Sequence, residues 1–168
     1  TNFLWTVAIS GWMAVGADPV LPTVAMGLAG SAALVVGTAA LGRPRAGFAA
    51  ALVAPALVAT DAGLALEAVQ GLESTFYAAV VTAAVWARLR QDNGLLRLPL
   101  AGLLCGVAAL TRPEGYLIFA LVEGIPMARS RLAGLGSRWR DALAFAALTV
   151  PHLVFRLAFY GSLVPNTF

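Results

Sequence analysis

Lysine is missing from this chain altogether, histidine and cysteine occur once each, and charged residues make up only 11% of its 168 positions. Each shortage excludes something. A soluble domain carries charge on roughly a quarter of its residues, so a chain this poor in charge cannot face water all round. With Cys105 alone there is no internal disulfide, and with His152 alone there is no histidine-built metal cluster. No segment alternates apolar and polar residues over about ten positions, which argues against the strands of a membrane barrel. All eleven basic residues are arginines, giving a formal charge of +3. No basic cluster exceeds Arg138 and Arg140 with Arg129 and Arg131 nearby, too sparse a patch for a nucleic-acid partner. A phosphate-cradling glycine loop, a nucleophilic triad and a Cys/His metal motif are all lacking, so no metal-ligating residue is assigned.

What the chain has in abundance is hydrophobic sequence, 60% of the whole, with a mean hydropathy of +0.85. It falls into stretches of 15 to 22 residues separated by short polar punctuation, as helices crossing a hydrocarbon core of roughly 30 Å require. The expected fold is all-α, a polytopic transmembrane helix bundle of about six spans. They are placed at Val20–Leu41, Ala46–Thr60, Ser74–Leu89, Leu95–Leu110, Glu114–Ala128 and Asp141–Tyr160. Phe3–Gly16 is short for a span and reads as an interfacial helix, with Trp5 and Trp12 at headgroup depth. Residues 1–168 then form one membrane bundle: an outer interfacial segment (1–19), helical spans (20–160) and an outer loop (161–168). The chain opens at Thr1-Asn2-Phe3 and stops at Asn166-Thr167-Phe168, which suggests a piece of a longer protein.

Arginine counting gives this bundle a direction. With the six spans, nine of the eleven arginines fall on one side, namely Arg43, Arg45, Arg88, Arg90, Arg97, Arg129, Arg131, Arg138 and Arg140. Asp18, Asp61, Glu67, Glu73 and Glu114 fall on the other, with Arg112 and Arg156. The positive-inside rule makes the first side cytoplasmic. Gly102 and Gly106 form a Gly-x-x-x-Gly pair of the kind that lets two helices approach closely.

The informative polar residues gather on the side opposite the arginines. In Thr111-Arg112-Pro113-Glu114-Gly115, Pro113 ends one helix, and Thr111 and Glu114 have capping-box spacing for the next. Glu114 is then a cap, and Arg112 beside a helix N-terminus is a candidate anion ligand. Glu73, at the mouth of a span, is a candidate for acid/base or sugar-hydroxyl contacts or, equally, a partner of the helix dipole. Asp61 and Glu67 read as a cap and a solvated carboxylate. Thr149, His152, Arg156 and Tyr160 share one face of the last helix, the face expected to look inward. His152 reads as a hydrogen-bonded interior histidine beside Pro151. Glu123, inside the fifth span, needs a polar partner in the bundle.

Four phrases occur in order: Thr1-Asn2-Phe3-Leu4-Trp5-Thr6, Gly71-Leu72-Glu73, Leu110-Thr111-Arg112-Pro113-Glu114-Gly115, and Phe155-Arg156 through Tyr160-Gly161 to Pro165-Asn166-Thr167. Together they resemble bacterial GT-C-type membrane glycosyltransferases, especially relatives of the arabinofuranosyltransferases, from end to end of the chain. The resemblance implies a multi-pass protein of the bacterial plasma membrane. Such an enzyme takes a sugar from a polyprenyl-phosphate donor and passes it to a glycan or lipid-linked acceptor outside the cytoplasm. It implies substrate-binding roles for Arg112, Glu73, Arg156, Tyr160, Glu114, Asn166 and Asn2. It also implies a catalytic carboxylate in a loop preceding the stretch that matches Thr1–Thr6, so this chain alone is expected to be inactive. A divalent cation is compatible with the class, although no residue here points to one, and the lipid bilayer is the expected partner. The rival readings are a transporter or channel fragment, with His152, Arg156 and Tyr160 along a path, and a non-catalytic scaffold.

Overall fold

The computed structural model describes residues 2–129 and 135–161. Among them it is helical throughout: α1 (Phe3–Ala14), α2 (Val20–Ala51), α3 (Val53–Thr60), α4 (Ala62–Val69), α5 (Ser74–Asp92), α6 (Leu100–Thr111), α7 (Gly115–Arg129) and α8 (Leu135–Tyr160). The punctuation follows the sequence. Gly47 breaks the end of α2 with φ +71°. Asp61 separates α3 from α4, its side chain accepting a hydrogen bond from the backbone N–H of Leu64 at 2.8 Å, the cap expected of it.

Two helices are long and apolar enough to cross a membrane, Val20–Gly42 and Arg138–Tyr160. A third span results if Gly47–Thr60 and Ala62–Val69, which meet at a bend of 51°, count as one. The expectation of six spans is therefore not met. Hydrophobic runs were taken for crossings, and the helices that formed from three of them are short or carry charge. With 12 residues, α6 is only about 18 Å long at 1.5 Å per residue. The last turns of α5 hold Arg88, Arg90 and Asp92, and α7 has 15 residues with Glu123 among them. Along α2 and α8, large apolar side chains such as Leu21, Val36, Val154 and Phe159 stand exposed, a surface that calls for an apolar solvent or a partner.

The core lies where α5 and α6 pack together, with α2 on the far side of α5 and α8 on the far side of α6. Small residues set the spacing. Gly102 and Gly106 do make the close helix contact their spacing suggests: a methyl group on Gly102 would strike the backbone of Asp141, and one on Gly106 the side chain of Leu148. On α2, Gly30 lies against the backbone of Thr75 and Phe76 in the same way.

Close approach brings charged groups inside, at the end of the bundle near Asp141. Arg88 of α5 is 5% exposed at its side chain and pairs with Glu123 of α7 at 3.2 Å and Asp141 of α8 at 3.4 Å, as well as with Asp92 one turn along its own helix. Asp141, with no exposure at all, also accepts from Gln91 Nε2 at 3.1 Å and from the backbone N–H of Gly102 at 2.9 Å. Arg138 donates to the carbonyl of Glu123 at 2.8 Å. Glu123 thus has the partners its buried position demanded. Arg88 and Arg138, two of the nine arginines counted on the cytoplasmic side, are buried among Asp92, Glu123 and Asp141.

Removing the central cation would leave the Glu123 and Asp141 carboxylates buried without their ion pair, a loss of about 3–5 kcal/mol. Arg88→Leu is expected to lower the unfolding free energy in detergent micelles by that much, read by denaturant titration. A loss below about 1 kcal/mol would show that the cluster does not hold the helices together.

Candidate functional site

The second polar cluster lies at the other end of α5. Glu73 precedes Arg88 by 15 positions, about 22 Å along a helix axis. Its position begins with the end of α4. There Gly71 takes the left-handed conformation, φ +72°, and the N–H of Leu72 donates to the carbonyl of Glu67 at 3.3 Å, a glycine-based helix stop. The turn is gripped from three sides. The indole N–H of Trp5, on α1, donates to the carbonyl of Gly71 at 3.2 Å. Thr23 of α2 fills the space beside Gly71, where a Cβ would meet its hydroxyl at 2.9 Å. Two residues beyond Glu73, the buried Thr75 hydroxyl donates to the carbonyl of Gly27 on α2 at 2.9 Å.

Glu73 is the N-cap residue of α5, yet its side chain makes no capping hydrogen bond. Only 9% exposed, it points toward Arg112, with Glu73 Oε1 4.0 Å from Arg112 Nε. Arg112 ends α6 in an extended conformation, φ −142° and ψ 142°, as a residue before proline is biased to do. Its guanidinium lies 3.7 Å from Glu114 Oε1 and 5.7 Å from the centre of the Tyr77 ring. Tyr77 is one helical turn after Glu73 and on the same face. Gly115 completes the phrase for a steric reason, because a methyl group there would strike the backbone of Ala108 and Ala109.

The capping-box expectation for Thr111 and Glu114 is corrected. Thr111 is the last residue of α6 and donates its hydroxyl to the carbonyl of Val107 at 2.8 Å, a bond to the preceding turn that removes it from capping. Glu114, 58% exposed at its side chain, spends its carboxylate on Arg112 instead. The expectation that Arg112 offers a free anion site changes with it, since two carboxylates already flank the guanidinium.

Other expected site residues are distributed as follows. Asn2 is the N-cap position of α1 without a side-chain capping bond; its carbonyl accepts from the N–H and hydroxyl of Thr6 at 2.9 and 3.0 Å. Along α8 the polar face turns progressively outward: Thr149 is buried, His152 and Arg156 are half-buried, and Tyr160 is exposed. Tyr160 packs on Phe155 and Phe159 of its own helix, so it is not brought to Glu73 and Arg112. The Nδ1 of His152 is buried and finds no hydrogen-bond partner among the described residues, contrary to the expectation of a hydrogen-bonded histidine. Its ring instead packs on Phe3 at 4.3 Å. Asn166 lies outside the described residues.

Sequence reasoning missed the role of α1. Trp5 is only 6% exposed, so its ring packs into the bundle and not against a solvent, whereas Trp12 is 48% exposed. Through Trp5 on Gly71 and Phe3 on His152 and Phe155, α1 joins the α4–α5 turn to α8. The phrases beginning at Asn2, Gly71, Leu110 and Phe155 therefore meet at one end of the bundle.

Comparison with known proteins gives this end a context. The chain is 32% identical over 188 residues to a terminal β-(1→2)-arabinofuranosyltransferase of Mycobacterium tuberculosis (strain ATCC 25618 / H37Rv), covering 99% of this chain and 29% of that protein. The chain is similar to a glycosyltransferase. It spans less than a third of that relative's length. No family model matches the chain, and no solved structure matches it.

The grip on the turn makes a stability prediction with its own control. Gly71 and Gly94 both have positive φ, but a Cβ at Gly94 meets open space. Gly94→Ala is expected to cost about 1 kcal/mol, the left-handed penalty alone. Gly71→Ala adds a clash with Thr23 and is expected to cost about 2 kcal/mol or more. Thermal unfolding in detergent measures both, and equal losses would show that Thr23 yields freely.

Proposed function

We propose that the chain forms part of an integral-membrane glycosyltransferase that moves a sugar from a polyprenyl-phosphate donor to a cell-envelope acceptor. The reaction takes place on the extracytoplasmic face of a bacterial plasma membrane. The observation that carries this reading is the contact between Glu73 and Arg112, from two separate phrases, in a chain similar over 99% of its length to an arabinofuranosyltransferase. In such a transfer an acceptor hydroxyl oxygen attacks the anomeric carbon, and the bond from that carbon to the phosphate oxygen breaks. The polyprenyl phosphate leaves with the electron pair, and the hydroxyl proton passes to a carboxylate base. Glu73 is suited to orienting hydroxyls, because it is nearly buried, held by its turn and not consumed by a helix cap. Arg112 fixes it from across the site. The transporter alternative draws on the bend of 51° at Asp61, a feature shared with the broken helices of transporters. There the Asp61 carboxylate is already occupied in capping α4.

In the full-length protein, Arg112→Ala is expected to lower sugar transfer by about 100-fold or more, the scale of a misplaced reacting group. Expression and thermal stability should be retained. Unchanged turnover would remove Arg112 from the mechanism.

The proposed orientation is tested by labelling. Leu72 and Leu95 are exposed at opposite ends of α5, and Cys105 is buried. A membrane-impermeant thiol reagent applied to intact cells is expected to label Leu72→Cys and to spare Leu95→Cys until the cells are opened. The opposite pattern would put the Glu73 cluster on the cytoplasmic side and overturn the assignment.

A further inference from the structure

We infer that the Glu73–Arg112–Glu114 cluster holds a neutral, hydroxyl-bearing sugar of the acceptor, and that the donor phosphate is met by Arg156. The inference rests on the glycosyltransferase reading and divides its two substrates between two arginines at the same end of the bundle.

The charge around Arg112 decides its side of this division. One guanidinium stands between two carboxylates, 4.0 Å from Glu73 and 3.7 Å from Glu114, so the cluster carries a formal charge of −1. Charge–charge energies fall as the inverse of distance. A phosphate about 4 Å from the guanidinium and about 6 Å from each carboxylate gains in proportion to one quarter and loses in proportion to two sixths. At equal screening of the three charges, repulsion wins. A neutral sugar meets no such opposition. Both ion pairs lie near the outer limit of contact, which leaves carboxylate lone pairs to accept from hydroxyls and guanidinium N–H groups to donate to sugar oxygens. The Tyr77 ring lies 5.7 Å from the guanidinium carbon and adds an aromatic face to the cluster.

Arg156 has the opposite surroundings. It is half-buried and has no carboxylate partner among the described residues, and residues 130–134 and 162–168 contain no acidic side chain. His152 lies one turn back on α8 and on the same face, and Tyr116 at the start of α7 feels the same charge. The His152 Nδ1 and the Tyr116 hydroxyl are each buried without a hydrogen-bond partner among the described residues. A cation with no carboxylate partner among the described residues, on the same helix face as the unpaired His152 Nδ1, suits an anionic oxygen. Because α1 touches both the Gly71 turn and His152, the two positions belong to one end of the molecule.

The experiment is steady-state kinetics of the full-length protein in nanodiscs, with polyprenyl-phosphate arabinofuranose as donor and a short arabinofuranose oligosaccharide as acceptor. Two variants are compared. Glu114→Gln, at an exposed side chain, is expected to raise the KM for acceptor about tenfold, the loss of one hydrogen bond to a charged group, with the donor KM unchanged. Arg156→Gln is expected to raise the KM for donor about tenfold or more, with the acceptor KM unchanged. If the Arg112 cluster held phosphate, Glu114→Gln would relieve repulsion and lower the donor KM. That result, or an Arg156→Gln variant with a normal donor KM, overturns this inference and leaves the glycosyltransferase reading standing. Absence of any transfer by the wild-type protein, or normal kinetics in Glu114→Gln, Arg156→Gln and Arg112→Ala alike, overturns both.

Discussion

The packing of α5, α7 and α8 depends on the buried Arg88 guanidinium. Arg88 takes its partners from its own helix, from α7 and from α8, so three helices separated in the chain must arrive in one register or leave charge uncompensated. A hydrophobic interface tolerates sliding by a residue, whereas a charge cluster away from water does not. The glycines of α6 make this geometry attainable, because Gly102 lets the backbone of Asp141 come close enough for its carboxylate to meet both α5 and the N–H of Gly102. With that end fixed, the opposite ends of α5 and α6 are also fixed relative to each other. Glu73 and Arg112 stand on those ends.

The division between what the sequence disclosed and what it hid follows from the range of the interactions. Helical class and helix breaks were legible because they depend on neighbours in the chain: Asp61 caps α4 as expected, and Pro113 stops α6. The Gly102–Gly106 contact was legible because its spacing is local, although its partner, α8, was not. Span number failed, since apolar composition says how a segment is solvated and not how long the resulting helix will be. Charge counting could not reveal which arginines are buried, for a similar reason. Arg88 and Arg138 look identical in sequence to Arg90 and Arg140, and only packing against Glu123 and Asp141 distinguishes a buried cation from a surface one.

At the candidate site the residues were largely identified and their relations were not. Glu73 and Arg112 were both singled out, but 39 positions separate them, and nothing local announces that they face each other. The reading of Glu114 as a cap was sound by spacing and lost to a competitor, because the guanidinium next to it is a stronger partner for a carboxylate than a backbone N–H. Trp5 gave the least warning: an apolar helix with two tryptophans suggests an interface with lipid, and only the distant carbonyl of Gly71 reveals a structural bond.

The shortness of α6 has a consequence for the surroundings of the bundle. In a bilayer whose hydrocarbon is about 30 Å deep, a helix of about 18 Å cannot hold lipid chains at their resting length along its flank. The longer α2 and α8 stand on either side of the α5–α6 pair, so lipid chains at resting length would lie along their flanks and not along that of α6.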